Sequence, residues 1–175
     1  MDTHSNLPLF FFGTMKDPDI FEIVVGQPLD SFARTEAVYP GHAVLREKQE
    51  AYPVLAERDG ANAPGLLVSG LNETEVDRIQ FFESIEYDLL PICVDCNGAE
   101  QGARCFIATE LLACEERAWQ IENWHTTDKD RALIEAVLLM DLYGRIPREE
   151  VEDHWPAIVE EANRQINARK SASFA

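Results

Sequence analysis

One glutamate stands where an apolar residue is expected. In "NETEVDRIQFFESIEYDLL", residues 72–90, a helical wheel at about 100° per residue puts Val76, Ile79 and Phe82 on one face. Glu83 falls about 20° from Val76, inside that face. Burying an ionised carboxylate is expensive unless something compensates. A desolvated glutamate instead raises its pKa towards neutrality, which is the property of a general acid or base working at pH 7. In the competing arrangement the helix frays at residue 82 and Glu83 reaches water; from periodicity alone that is the default. Glu86 is expected beyond the helix and solvated.

The other reactive side chains form no comparable constellation. The four cysteines are Cys93, Cys96, Cys105 and Cys114. "CVDC" has the spacing of a metal knuckle or redox pair. It sits in "LLPICVDCNG", which reads as a strand and a turn, and strand residues three apart point to opposite faces. No second CxxC or HxxxH completes a site, so small buried thiols are expected and no metal. His42, His125 and His154 are scattered, and His4 lies at the start of the chain; none is assigned a role.

Composition narrows the partners. Apolar residues make up 46% and charged residues 27% of the 175, as in one ordinary globular domain. The net charge of −17 repels phosphate backbones and anionic lipid, which argues against nucleic acid and membrane surfaces. No apolar run approaches the roughly 20 residues needed to span a bilayer. The opening "MDTHSNLPLFFF" has neither a basic n-region nor a small-residue cleavage site, so the cytoplasm is the expected compartment.

The elements that must position Glu83 are read from turns and caps. A first strand is expected over 7–13. Asp17-Pro18 predicts an N-cap with proline at the first helical position, and Gly26 closes that helix. Two strands are expected at 32–39 and 41–48 around Pro40-Gly41. Another is expected at 51–58, then a turn at 59–65 and a compact strand at 66–71. Asn72 and Glu75 have capping-box spacing ahead of the Glu83 helix. A hairpin is expected around "NGAEQG", 97–102. Three helices are predicted beyond it: 115–125, 127–144 stopped by Gly144, and 147–170, kinked or restarted by Pro156. The last five residues are expected to fray. Trp119, Trp124 and Trp155, with Leu133, Val137, Met140 and Tyr143 at helical spacing, are expected to pack as core rather than to form a cofactor or partner site.

The opening "FFFGTMKDPDIF" resembles the strand–loop–helix "YGTL…DP" start of the gamma-glutamylcyclotransferase-like superfamily, which includes AIG2-like and gamma-glutamylamine cyclotransferase proteins. Further segments agree in order over residues 7–110. "ARTEAVYPGHAVL" resembles a strand pair with its glycine, "AYPVL" a "YP" turn, "PGLLVSGL" a following strand, and "RIQFFESIEYDLLPICV" the "LDxYEGxxYxRxxV" block. The order of elements predicts an α+β domain; the resemblance implies a small mixed β-barrel with flanking helices over 1–112, and the helical C-terminal extension, 113–175, without a counterpart in the smallest family members, is apolar enough to be expected to pack on it. The resemblance implies cyclisation of a γ-glutamyl amide to 5-oxoproline with release of the amine, without cofactor or metal. It also implies Glu83 as the catalytic acid/base, Phe12, Gly13, Thr14 and Met15 as the substrate loop, and Tyr87 as a pocket hydroxyl.

Three positions depart from that pattern. Phe12 replaces the usual tyrosine and loses a hydroxyl. Ile79-Gln80 replaces "LD", and Ser84 replaces the glycine after the glutamate, which bears on how the chain leaves the helix. Two other functions stay open at this point: a non-catalytic protein binding a small γ-glutamyl-like or other anion, and an interaction protein working through its helical tail. The amine and the oligomeric state are left open.

Overall fold

The computed structural model describes residues 7–48, 52–110 and 114–173. In chain order the elements are β1 (Leu9–Phe11), α1 (Pro18–Val25), β2 (Ala33–Glu47), β3 (Pro53–Ser69), α2 (Glu73–Glu83), β4 (Tyr87–Cys96), β5 (Ala99–Ala108), β6 (Cys114–Ala118), α3 (Ile121–Thr127), α4 (Lys129–Met140) and α5 (Val151–Ser173). Short 3-10 turns lie at 14–16, 29–31 and 148–150. The strands form one mixed sheet in the order β3-β1-β5-β4-β2-β6. A further β2–β3 pairing bends five of them into a partly closed ring, with β6 outside it. The ring joins through Val38 opposite Asp95.

β1 is apolar at every residue because both of its faces are covered. Leu9 and Phe11 enter the larger core with Phe21, Val24, Ile79, Phe106 and Trp124, while Phe10 enters a second one with Leu67, Val94 and Cys105. A third cluster joins α2, α4 and α5 through Phe81, Leu139, Val151 and Ile158.

Local chemistry fixes the two helices flanking the site. Asp17 caps α1, accepting from Asp19 N (3.0 Å) and Ile20 N (3.2 Å), and Gly26 ends it at φ 85°. Asn72 and Glu75 form the full capping box of α2, at 3.0 and 2.8 Å.

Several expected boundaries move. The segments at 32–39 and 41–48 are one strand, β2, and 51–71 contributes one strand, β3, rather than two with a turn. Of the expected 59–65 turn, 62–65 pair regularly with β2, and Gly41 with residues 58–61 marks a register shift inside the long β2–β3 pair, where Gly41 and Gly60 hold φ of 73° and 74°. The β4–β5 turn is only Asn97-Gly98, both at positive φ as a type I′ hairpin requires. Residues 114–118 are strand, because they pair with the far end of β2 at Leu45–Ala118 and Glu47–Cys114. The next helix therefore starts at Ile121, and α4 ends at Met140, ahead of Gly144. The last helix runs through Pro156 without restarting. Of the expected frayed tail, residues 171–173 continue α5, and 174–175 lie outside the described residues, as does His4. Among the described residues no helix is long and apolar enough to cross a membrane.

Candidate active site

The loop leaving β1 and the end of α2 meet at one cavity of about 380 Å³. Phe12, Gly13, Thr14, Met15, Glu83 and Tyr87 all line it, so every site residue named from the sequence is brought to a single hollow. The volume suits a small metabolite. Gly13 is needed where it is: a Cβ there would stand 2.5 Å from the Pro53 ring. That contact sets the β1 exit loop against the start of β3, with Tyr52 and Pro53 also in the wall. The loop then tightens into a 3-10 turn through Lys16 N to Gly13 O (3.1 Å) and Asp17 N to Thr14 O (2.9 Å). The first N–H groups of such a turn are left out of its own ladder.

Glu83 is the last residue of α2 and belongs to the cavity wall, so the helix does not fray at residue 82. It is partly accessible, as a wall residue must be, yet enough protein surrounds the carboxyl to desolvate it. Burial pushes its pKa up to about 7, and the positive charge of Arg148 pulls the other way. Tyr87 begins β4 across the turn. Burial, then the charges of Glu83, Glu86, Glu47 and Glu152, push its hydroxyl far up, so it keeps its proton. Glu86 has left the helix and is exposed, as expected, although it touches the mouth of the cavity. Burial and the neighbouring Glu152 and Glu110 raise its pKa.

The far wall was not anticipated. Ala132, Glu135, Ala136 and Leu139 of α4 line the cavity, at the i, i+3, i+4, i+7 spacing of one helix face. Val151, Glu152 and Trp155 of α5 close it. Of the stripe expected as core, Leu133 and Met140 pack against the main cluster and Tyr143, past the helix and bonded to Asp77 at 2.6 Å, packs against the third; Val137, 53% exposed, does not. Trp119 and Trp124 are core, and Trp155 packs against the third cluster while also lining the cavity, 6.4 Å from Tyr52 between ring centres. Glu135 is 5% exposed and holds Arg131 (2.7 Å) and the Tyr52 hydroxyl (3.3 Å). The signal that pointed to Glu83, a carboxylate in an apolar helical run, is also present in "RALIEAVLLM".

A polar staple holds the loop in place. Asp17, 1% exposed, accepts from His125 Nε2 and Lys129 Nζ, both at 2.8 Å, and Lys129 also reaches Asp19 at 2.6 Å. Burial pushes the Asp17 carboxyl up, but bonds from Lys129, Ile20 N and His125 outweigh it and leave the pKa below the usual range. His125 thus has a structural partner that its isolated position in the sequence did not reveal. Cys93 is exposed while Cys96 packs towards the inner cluster with Cys105. Among the described residues no three His, Cys, Asp or Glu side chains gather to hold a metal.

A carboxyl raised by burial, a protonated tyrosine and a strand-exit loop meet around one small cavity, in a fold of the gamma-glutamylcyclotransferase type. Over residues 9–126 the chain matches the family described as gamma-glutamyl cyclotransferase, AIG2-like, and it belongs to that family. AIG2-like protein C of Arabidopsis thaliana is 21% identical over 165 residues, covering 85% of this chain and 93% of the relative. A solution structure of an Arabidopsis thaliana protein superposes with a TM-score of 0.56 at 18% identity, covering 83% of this chain and 97% of its own. A solved structure titled gamma-glutamyl cyclotransferase gives 0.50 at 11% identity, over 84% and 85%. At these identities the structural likeness is one of fold.

Proposed function

We propose that the protein cyclises a γ-glutamyl amide of a small amine or amino acid, giving 5-oxoproline and the free amine, with Glu83 as the acid/base. The observation that carries this is the Glu83 carboxyl, pushed up to about 7 in the wall of a cavity that the 12–15 loop shares. The nucleophile is the substrate's own α-amine, an ammonium at pH 7. Glu83 takes a proton from it, and the amine attacks the γ-carbonyl to close a five-membered ring. The tetrahedral intermediate collapses by breaking the bond to the leaving nitrogen, to which Glu83 returns that proton, and the ring nitrogen's remaining extra proton passes to the released amine, which departs as an ammonium. One group with a pKa near the working pH serves both transfers. Because the attack is intramolecular, orientation does most of the remaining work. Backbone N–H groups of the Gly13–Met15 turn meet the substrate carboxylate or the developing oxyanion, and Tyr87 donates a hydroxyl. The cytoplasm stays the compartment of this proposal.

Two features of the wall weigh against the other readings. Among the described residues no lysine or arginine lines the cavity, which disfavours a site built only to hold an anion. Over 116–169, Val137 is the one exposed large hydrophobic among the described residues, too little for a docking face. The test is 5-oxoproline release from a panel of γ-glutamyl amides by wild type and Glu83→Gln. The expected result is turnover that vanishes in the variant. For wild type, kcat/KM should drop about fiftyfold between pH 7 and 5 as Glu83, already half-protonated at pH 7, takes up its proton. A profile flat to pH 5, or turnover surviving in Glu83→Gln, removes Glu83 from the chemistry. Ligand-induced thermal stabilisation without turnover in wild type instead supports a binding protein.

A further inference from the structure

Glu83 is followed by a residue in an uncommon conformation. Ser84 is 4% exposed and holds φ 57° and ψ −162°. Glycine takes that region freely, and other residues occupy it only where their surroundings enforce it against a steric cost. Within the turn, Ser84 N donates to Phe81 O (3.2 Å) and Ser84 Oγ accepts from Glu86 N (3.2 Å). The enforcing contact comes from more than sixty residues away. Arg148 Nε donates to Ser84 O at 2.7 Å, and its Nη2 donates to Tyr87 O at 2.9 Å. One planar fork therefore spans the turn, gripping a carbonyl next to Glu83 and the carbonyl of Tyr87. A lysine has the charge but not two N–H directions fixed in a plane. Arg148 is also the charge that opposes burial at Glu83; Tyr87 and Cys105, which feel Glu83, both keep their protons.

We propose that Arg148 is a positioning residue for Glu83, reaching in from the segment ahead of α5 to lock the strained turn that sets Glu83 and Tyr87 in the cavity wall. Its catalytic meaning rests on the cyclotransferase reading, but the clamp itself does not. The segment beyond β6 then builds the site as well as covering it.

The test compares Arg148→Ala, Arg148→Lys and Arg148→Ala/Ser84→Gly in the full chain. Three readouts are taken: kcat and KM against pH, the Glu83 carboxyl titration by NMR, assigned by its loss in Glu83→Gln, and hydrogen exchange of the amides at 84–87. Arg148→Ala is expected to lose about tenfold or more in kcat, to move the Glu83 midpoint upward from about 7, and to speed exchange at 84–87. Arg148→Lys is expected to keep the midpoint while staying low in kcat. Ser84→Gly, which accepts the turn conformation without strain, is expected to restore part of the kcat lost in Arg148→Ala without restoring the midpoint. If Arg148→Ala melts below the assay temperature, Arg148→Lys carries the same comparison through kcat and exchange. Arg148→Ala kcat within about twofold of wild type, or a kcat loss with midpoint and exchange unchanged and no recovery through Ser84→Gly, overturns the proposal. If wild type itself releases no 5-oxoproline, the functional reading fails separately. The midpoint and exchange still decide Arg148: changes in both support the clamp, and their absence overturns it.

Discussion

At the scale of the residue, a carboxyl whose pKa is raised to about 7 in the fold from an ordinary 4.5 works against stability once it ionises. Folded and unfolded chains both hold the proton below 4.5. Between 4.5 and 7 the folded chain holds it more tightly, so stability is lost as pH rises through that window and stays lower above it. Glu83→Gln is therefore expected to be the more stable protein at pH 8, by an amount on the order of 2 kcal/mol, with the gap closing by pH 5. Urea unfolding of both proteins at the two pH values measures this directly. Equal stabilities at pH 8 contradict a desolvated carboxyl. Arg148 keeps its two carbonyl bonds in the variant, so no new orphan charge confuses the comparison. A protein more stable without its proposed acid/base is the usual signature of a functional group held at a structural cost.

At the scale of the element, the Gly13–Pro53 contact joins the β1 exit loop to β3. A methyl group at position 13 meets a ring that is itself pinned in a strand, so Gly13→Ala is expected to destabilise by roughly 1–3 kcal/mol. It should cost turnover beyond that loss, because the loop must shift; melting curves and kcat on the same preparation separate the two. A kcat unchanged at a temperature where the variant is fully folded detaches the loop from catalysis. The Asp17 staple ties α1 to α3 and α4 in the same region. Asp17→Ala removes two backbone bonds and leaves Lys129 and His125 without it, for an expected loss of about 3 kcal/mol by thermal or urea unfolding. A loss within 0.5 kcal/mol, typical of an exposed surface site, contradicts the staple.

The same elements explain what the sequence disclosed. α1 and α2 were legible because their caps are local: Asp17-Pro18, Gly26 and the Asn72/Glu75 pair act within a few residues. Glu83 stood out against a sparse apolar face. The long β2 and β3 were not legible, because Pro40-Gly41 and Gly60 usually end strands and here only shift the register. Residues 114–118 are strand through pairing with β2, a partner that no local pattern contains. In α4 the run "ALIEAVLLM" is apolar on most sides, so periodicity could not choose between the stripe at 133/137/140 and the cavity face at 132/135/136/139. The Arg148 contact was invisible for a simpler reason: its acceptors are backbone carbonyls, which leave no mark in side-chain identity.

At the scale of the whole molecule, the charge of −17 has a local counterpart in Glu47, Glu83, Glu86, Glu135 and Glu152, all of which line the cavity. A leaving amine with an extra positive charge should be favoured over one bearing a carboxylate, through a lower KM at low ionic strength. Raising salt from about 0.01 to 0.5 M should narrow that gap, since screening lengths fall from roughly 30 Å to a few ångströms. Steady-state kinetics on a cationic and an anionic γ-glutamyl amide across that range checks it. A preference that ignores salt traces to shape instead.

The topology has an outcome for biosynthesis. β1 sits between β3 and β5, with Leu9 opposite Val68 on one side and Arg104 on the other. During synthesis β1 must wait for nearly a hundred further residues before its second neighbour exists. Until β5 emerges, β1 is paired along one edge only, so a nascent chain stalled before Ala99 carries the 12–15 loop and Glu83 without the strand that flanks β1 on its other side.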